Sequence, residues 1–195
     1  MSFAYAPMQW KTAAEFTAHL AKHDPAVAPW ARGIVVHHTY RPLPSQWLGL
    51  RSIAGLKEFY LGKEWDAGPH LFICVGARDP QNDGIFQLTP LNLKGVHATY
   101  ANSSHWGIEV VGDYDGQAWS PALRTMVYDA MTALLRWRGI DPASTIPLTI
   151  RGATKVEHYD LPAVMGHREV PYCVKSCPGK AIDMDVIRKD IRGKA

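Results

Sequence analysis

The chain has 195 residues and a mass of 21.7 kDa, and 47% of its residues are hydrophobic while 20% are charged. These fractions are typical of a globular protein and exclude a largely disordered chain. The formal net charge is +3, but the sequence has no cluster of basic residues and no known nucleic-acid-binding motif. We therefore expect no nucleic-acid partner. No apolar run reaches the roughly 18 residues of a membrane span. Residues 1–8 have neither a basic start nor a long apolar segment, so we expect no secretory signal. We therefore expect synthesis in the cytoplasm and no membrane insertion.

The apolar pattern alternates along the chain between the spacing of strands and that of helices. Strands are predicted at residues 33–39, 70–75, 85–88, 106–112 and 164–167. Helices are predicted at residues 12–22, 45–60, 120–139 and 180–192, with an irregular stretch at 141–163. This order predicts one α/β domain with a central mixed β-sheet flanked by helices. Within the single domain 1–195 we expect an N-terminal extension at 1–29, a core at 30–179 and a C-terminal helix at 180–195.

Histidines and cysteines that are far apart in the sequence form the strongest candidate for a chemical site. Either His37 or His38 ends the first of these strands, and His167 follows the last one. A thiol would come from Cys173 or Cys177. Two imidazoles and a thiolate are a known zinc set that leaves a fourth position open for water. The spacing matches no compact zinc motif. The residues alone therefore do not decide between His37 and His38 or between Cys173 and Cys177, and these histidines could also be ordinary hydrogen-bonded residues.

One charged residue is a candidate for catalysis, and a second lies close to a candidate metal ligand. Glu109 lies between two apolar residues of a predicted strand, where a carboxylate is costly to bury unless it is paired or takes part in chemistry. A glutamate at a sheet edge or in a salt bridge would give the same pattern. Lys175 lies two residues before Cys177, and a lysine at such a position is usually a solvated loop charge.

Five short segments then occur in one order along the chain. They are Val35–Thr39, Gly68–Phe72, Gly107–Glu109, Gly166–Val170 and Lys175–Gly179. This series resembles the zinc-dependent N-acetylmuramoyl-L-alanine amidases, the family of phage lysozyme-type amidases, muropeptide-recycling amidases and animal peptidoglycan recognition proteins. The resemblance implies the fold of that family, one Zn²⁺ ion per chain, and hydrolysis of the amide between N-acetylmuramic acid and L-alanine in peptidoglycan.

The resemblance also implies which residues bind the zinc ion. The family places a histidine directly after the apolar strand and a thiol directly before Pro-Gly, so the implied ligands are His37, His167 and Cys177. His38 then points to the other face of the strand and is expected to be a hydrogen-bonded neighbour. Cys173 is then either a bystander or a residue that forms a disulfide with Cys177 under oxidation, which would destroy the site.

Further roles follow from the same resemblance. Recycling-type members use a glutamate matching Glu109 as general base and proton shuttle, and Lys175 would stabilise the oxyanion. A loop histidine matching His97 contacts glycan or peptide in the family, so His97 and Asn102 are expected to bind substrate. Several relatives have a catalytic tyrosine where this chain has Pro69, so Glu109 and Lys175 are expected to contribute more of the transition-state stabilisation.

The expected partner is peptidoglycan or a muropeptide, and we expect a monomer. The sequence shows no separate wall-binding domain, which is compatible with a phage or prophage endolysin that reaches the cell wall after release. It is equally compatible with a cytoplasmic muropeptide-recycling enzyme. A non-catalytic peptidoglycan-binding module is a further hypothesis, which Cys177 disfavours because members that only bind typically lack this ligand.

Overall fold

The computed structural model describes residues 6–194, and within them eight strands and four α-helices follow one another. The strands are β1 Met8–Trp10, β2 Gly33–His38, β3 Leu71–Cys74, β4 Gly84–Gln87, β5 His105–Val110, β6 Thr145–Arg151, β7 Val156–Pro162 and β8 Val164–Gly166. The helices are α1 Ala13–Leu20, α2 Leu50–Leu61, α3 Pro121–Arg138 and α4 Met184–Lys194. Residues 1–5 of the predicted extension and residue 195 of the predicted C-terminal helix lie outside the described residues.

Six strands form one mixed sheet in the order β1-β4-β3-β5-β2-β8. β2 pairs in parallel with β5 on one side and with β8 on the other, and β5 pairs in parallel with β3. The predicted hairpin of β3 and β4 is antiparallel, and β1 pairs antiparallel with β4. The prediction of an α/β domain with a central mixed sheet is confirmed. Because β2, β5 and β8 run in one direction, the residues at their carboxyl ends meet at one edge of the sheet.

The larger part of the core lies on one side of this sheet, which we call the helix face. Ile34 and Val36 of β2 and Ile108 and Val110 of β5 are fully buried there, in one cluster with residues of α1, α3 and α4. The helix predicted to start at Ser120 is confirmed, since the Ser120 hydroxyl accepts the N–H of Leu123 at 3.3 Å. The opposite side of the sheet, the cavity face, carries two smaller apolar clusters and the polar residues described below.

Residues 8–20 share the core of the helix face. Thr12 caps α1, because its hydroxyl accepts the N–H of Glu15 at 3.1 Å. Trp10, Phe16 and Leu20 are buried in the same cluster as the central strands. β1 and α1 therefore stabilise the fold directly.

Two predictions about elements are wrong. The stretch 141–163 is not irregular, because β6 and β7 pair antiparallel from Thr145 opposite Pro162 to Arg151 opposite Val156 and form a separate two-stranded sheet. The helix predicted at 45–60 begins only at Leu50, since residues 44–46 form a 3₁₀ turn and Gly49 has a φ of 60°. Among residues 6–194 no helix is long and apolar enough to cross a membrane.

Candidate functional site

Three of the predicted site residues meet at the carboxyl edge of the sheet. In the parallel β2–β5 pair His37 stands opposite Glu109, with 3.9 Å between His37 Nδ1 and Glu109 Oε1. On the other side of β2, Val36 pairs with Gly166 of β8. His167 follows directly, and its ring centroid lies 4.5 Å from that of His37. Strand pairing therefore brings together residues that are remote in the sequence.

A fourth predicted residue, Cys177, comes from the loop after β8. The guanidinium of Arg168 donates to the carbonyl oxygen of Gly179 at 2.7 Å, and the Arg168 N–H donates to the carbonyl oxygen of Cys177 at 2.8 Å. These bonds fold the loop back over the edge of the sheet. As a result Cys177 Sγ lies 3.7 Å from His37 Nδ1 and accepts the backbone N–H of His38 at 3.4 Å.

The resulting cluster has the composition of a metal site. One ligand atom from each of His37, His167 and Cys177 lies within 4.8 Å of the others. His38 is occupied elsewhere, because its Nδ1 accepts a backbone N–H from Tyr114 at 3.2 Å. Cys173 packs beside an apolar cluster on the same side of the sheet. Of the alternatives that the residues alone leave open, the structure therefore brings His37 and Cys177 to the cluster.

A further histidine determines which nitrogen of His37 faces the cluster. His97 Nε2 lies 3.1 Å from the carbonyl oxygen of His105, which can only accept, so this nitrogen carries the hydrogen. His97 Nδ1 is then an acceptor, and it lies 3.0 Å from His37 Nε2. His37 consequently donates through Nε2 and presents an unprotonated Nδ1 to Cys177. Metal-binding histidines in general are oriented by such a second hydrogen bond.

The position of His97 depends on two neighbours. Asn102 Oδ1 accepts the backbone N–H groups of His97 at 3.0 Å and of Ala98 at 2.7 Å, which fixes the loop. Gly107 gives space to the ring, since a Cβ atom there would lie 2.6 Å from His97 Cγ. These contacts place His97 and Asn102 behind His37. Direct binding of substrate by either residue stays a prediction.

Burial determines the protonation of the three donors. It lowers the pKa of His167 to about 4 and lowers the pKa of His37 well below its ordinary value, so both rings are neutral at pH 7. Burial, with Glu109 adding to it, raises the pKa of the Cys177 thiol, which therefore needs a nearby cation to ionise. Two neutral imidazoles and a thiol that ionises only beside a cation suit Zn²⁺, because this ion binds imidazole nitrogen and thiolate sulfur.

Glu109 has the environment of a proton carrier. Burial raises its pKa to about 8, and the charge of Lys175 opposes that rise. Glu109 Oε2 is buried and has no hydrogen-bond partner among the described residues. A carboxyl group whose pKa lies near neutrality and whose oxygen is unpaired can both accept and donate a proton.

The cluster opens into a cavity of about 930 Å³. All seven predicted site residues line it: His37, His97, Asn102, Glu109, His167, Lys175 and Cys177. Lys175 is exposed in the loop before Cys177, where its ammonium can reach a substrate in the cavity. Pro69 also lines the cavity and offers no hydroxyl there.

Several aromatic residues of the cavity wall were not predicted from the sequence. Phe59, Tyr60 and Tyr172 line the cavity, and their spacing gives no motif. Among residues 6–194, four non-glycine residues have a φ in the left-handed region, and three of them, Tyr40, Thr99 and Tyr172, line this cavity. Such backbone strain has no sequence signature. The one hint in the sequence is that Tyr172 lies between two of the five motif segments, Gly166–Val170 and Lys175–Gly179.

Comparisons with known proteins identify the family of this chain. Residues 26–180 match the family described as N-acetylmuramoyl-L-alanine amidase, and no curated protein sequence matches the chain. The endolysin N-acetylmuramoyl-L-alanine amidase LysCS from Clostridium intestinale URNW is 18% identical with a TM-score of 0.56, covering 83% of this chain and 84% of its own. Drosophila PGRP-LB is 20% identical with a TM-score of 0.58, covering 80% and 79%.

The solved structures share the fold of this chain. A further example is a complex of the PGRP-LCa and PGRP-LCx ectodomains with tracheal cytotoxin, which is 14% identical with a TM-score of 0.54 and 82% coverage of each chain. The family match is stronger evidence than the shared fold, because it spans most of the sequence and contains His37, His167 and Cys177. The chain therefore belongs to the N-acetylmuramoyl-L-alanine amidase family and is a peptidoglycan amidase.

Proposed function

We propose that this amidase is zinc-dependent and that His37, His167 and Cys177 hold one Zn²⁺ ion. The observation that carries the proposal is the convergence of these three donors within 4.8 Å, beside a carboxyl oxygen of Glu109 that has no hydrogen-bond partner within residues 6–194. Three protein ligands leave one position open, which is typical of catalytic and not of structural zinc sites. When bound, the ion supplies Lewis-acid activation of water and of the substrate carbonyl group.

Glu109 is the proposed proton carrier of the reaction. It accepts a proton from the attacking water, whose oxygen forms a bond to the lactyl carbonyl carbon of the muramoyl group. The ammonium group of Lys175 stabilises the negative charge that develops on the carbonyl oxygen. Glu109 then returns the proton to the amide nitrogen as the C–N bond breaks. The products are a lactyl carboxylic acid and a stem peptide with a free L-alanine amine.

His97 and Asn102 have two proposed tasks. Their hydrogen bonds support an indirect one, in which Asn102 fixes the loop and His97 holds His37 in the tautomer that leaves Nδ1 free. Both residues line the cavity as well, which is compatible with the predicted direct contact to glycan or peptide. The first task can be tested on the protein without substrate.

We further propose that the protein acts as a monomeric phage or prophage endolysin on the cell wall after release from the cytoplasm. Similarity in fold to clostridial endolysin amidases supports this role. A muropeptide-recycling enzyme would have the same chemistry and a different substrate. A recognition module without catalysis is the alternative that the similarity in fold to peptidoglycan recognition proteins suggests.

The proposal is tested by incubating the purified protein with isolated peptidoglycan sacculi and identifying the products by mass spectrometry. We expect free stem peptides that begin at L-alanine, their loss with a zinc chelator, and their return when zinc is added. Elemental analysis should give one zinc per chain, and Cys177→Ser should lose both the metal and the activity. Full activity in a verified metal-free protein would overturn the zinc assignment.

The same assay separates the biological roles. An endolysin should release stem peptides from intact sacculi. Cleavage of soluble muropeptides alone, with sacculi left intact, would instead indicate recycling. Tight binding to sacculi without any cleavage, in a zinc-loaded protein, would indicate a recognition module.

A further inference from the structure

One tyrosine at the rim of the cavity is exposed in a strained conformation. Tyr172 lies in the loop between His167 and Cys177, it is 57% exposed, and it has a φ of 63°. A non-glycine residue rarely adopts this left-handed conformation, which persists only when surrounding contacts enforce it. An exposed aromatic ring held this way is a candidate for a binding surface.

The contacts that enforce the conformation come from the β6–β7 hairpin. The hydroxyl of Tyr172 donates to one carboxylate oxygen of Glu157, and the hydroxyl of Tyr159 donates to the other at 3.3 Å. Lys155 pairs with the same carboxylate at 3.0 Å. Glu157 therefore ties the tyrosine of the catalytic loop to the hairpin through its hydroxyl, while Tyr172 stays 57% exposed.

Two further rings support Tyr172. The centroid of Tyr100 lies 5.9 Å from that of Tyr172, and the centroid of Tyr159 lies 6.5 Å away on the hairpin. We call Tyr100, Tyr159 and Tyr172 the tyrosine rim. Tyr100 and Tyr172 line the same cavity as the metal cluster, so the rim continues the candidate active site toward the hairpin.

We propose that the tyrosine rim binds a sugar ring of the glycan strand, with the pyranose stacked on the face of Tyr172. The inference rests on the proposed function, since it extends the site for the same substrate. The negative face of an aromatic ring attracts the polarised C–H groups of a sugar, and the charged ends of Lys155 and Glu157 offer hydrogen bonds to sugar hydroxyls. The partly buried carboxylate of Glu157 at this rim makes an acidic stem peptide the poorer occupant.

Binding of peptide-free glycan strands, which are alternating N-acetylglucosamine and N-acetylmuramic acid oligosaccharides, tests this site without any turnover or metal. We expect the strands to shift the ring resonances of Tyr172 in an NMR titration. Tyr172→Ala should weaken the affinity on the order of tenfold, which corresponds to about 1.4 kcal/mol. Tyr172→Phe keeps the ring but loses the hydroxyl that bonds to Glu157, so its affinity should lie between that of the parent and that of Tyr172→Ala.

Val186→Ala is the matched control, because Val186 is an apolar residue of α4 that is 46% exposed and lies outside the cavity lining. It should bind glycan like the parent. Equal affinity of the parent and Tyr172→Ala would overturn the proposal, as would a parent that does not bind the strands at all. A shift of Tyr172 by free stem peptide and not by glycan would overturn it too.

The kinetic counterpart compares two substrates. The ratio of kcat/KM on long glycan chains to kcat/KM on a single muramoyl peptide should fall on the order of tenfold in Tyr172→Ala. The binding titration, and not this ratio, separates the site from the proposed function, because glycan binding at Tyr172 can persist in a protein that fails to hydrolyse. An unchanged ratio in a folded variant would contradict the inference.

Discussion

The two faces of the central strands differ in both packing and chemistry. On the helix face Ile34, Val36 and Ile108 are fully buried among apolar neighbours. On the cavity face the same two strands carry His37 and Glu109, which have altered pKa values. Residues adjacent in the sequence thus have opposite tasks, because side chains alternate between the faces of a strand.

This comparison explains how one short sheet can be stable and reactive. The helix face contributes burial of apolar surface, which is the dominant favourable term of folding. The cavity face holds a carboxyl group with an unpartnered oxygen, which is unfavourable for stability. A firmly packed opposite face allows the strand to hold that group in place. Substitutions on the two faces should therefore separate loss of chemistry from loss of stability.

The largest effect is expected on the cavity face. Glu109→Gln should lower kcat roughly 10²–10⁴-fold, because the amide keeps the shape of the side chain but cannot carry a proton. The zinc content should remain at one ion per chain, since Glu109 is not among the three clustered donors. Steady-state kinetics on a muramoyl peptide and elemental analysis check this pair of outcomes. A variant that keeps most of its kcat would exclude Glu109 as the proton carrier.

The neighbouring residue on the helix face should give the reverse pattern. Ile108 is fully buried, so Ile108→Ala should reduce the free energy of unfolding by about 2–5 kcal/mol through lost burial and an unfilled cavity. The kcat of the folded fraction should stay close to that of the parent. Urea unfolding and kinetics at low temperature measure the two quantities.

A milder control refines that experiment. Ile108→Val removes one methylene and should lose only about 0.5–1.5 kcal/mol of stability, with kcat unchanged. If either substitution at position 108 lowered kcat as strongly as Glu109→Gln, the two faces would not be separable.

Smaller effects are expected from His97, which acts on the metal through His37. His97→Phe keeps an aromatic ring above Gly107 but removes the acceptor for His37 Nε2. Zinc affinity should fall roughly 10–100-fold, the usual loss when a hydrogen bond to a metal ligand is removed. Competition with a chromophoric chelator measures the affinity, and ¹⁵N NMR of the metal-free protein reports the tautomer of His37.

His23→Gln serves as the control for that measurement, because it removes an exposed histidine outside the cavity lining. It should bind zinc like the parent. If His97→Phe also kept the affinity of the parent and the same His37 tautomer, His97 would have no positioning role, and the predicted contact with substrate would be its remaining task.

The sequence was sufficient for the elements with a strong pattern. The buried strand that ends at His38 and the helix between Ser120 and Gly139 are confirmed, because continuous apolar residues or clear caps define them. β1 has only three residues and exists because it pairs with β4. In β6, Ile146, Leu148 and Ile150 alternate with polar residues or proline, which is a strand pattern that the interruption by Pro147 obscured.

The candidate site was predictable as a list of residues and not as an arrangement. Resemblance to the family named His37, His167 and Cys177, which the structure brings together. The hydrogen bond between His97 and His37 depends on a loop that crosses the sheet, so no spacing in the sequence predicts it. The strain at Tyr172 likewise depends on a hairpin carboxylate that is distant in the chain.

The last expected effect is the pH dependence of stability that the buried histidines of the cavity side produce. Burial lowers the pKa values of His70, His105 and His167 to about 4, against 6.5 in the unfolded chain. Between pH 6.5 and 4 the unfolded chain therefore binds protons that the folded chain does not, so stability is complete above this window and falls as the pH decreases through it. Each histidine contributes up to about 1.4 kcal/mol per pH unit, measurable by urea unfolding of metal-free protein from pH 7.5 to 5. His70→Gln should lower this slope by one proton whatever its stability at pH 7.5, and an unchanged slope would show that His70 is protonated in the folded state.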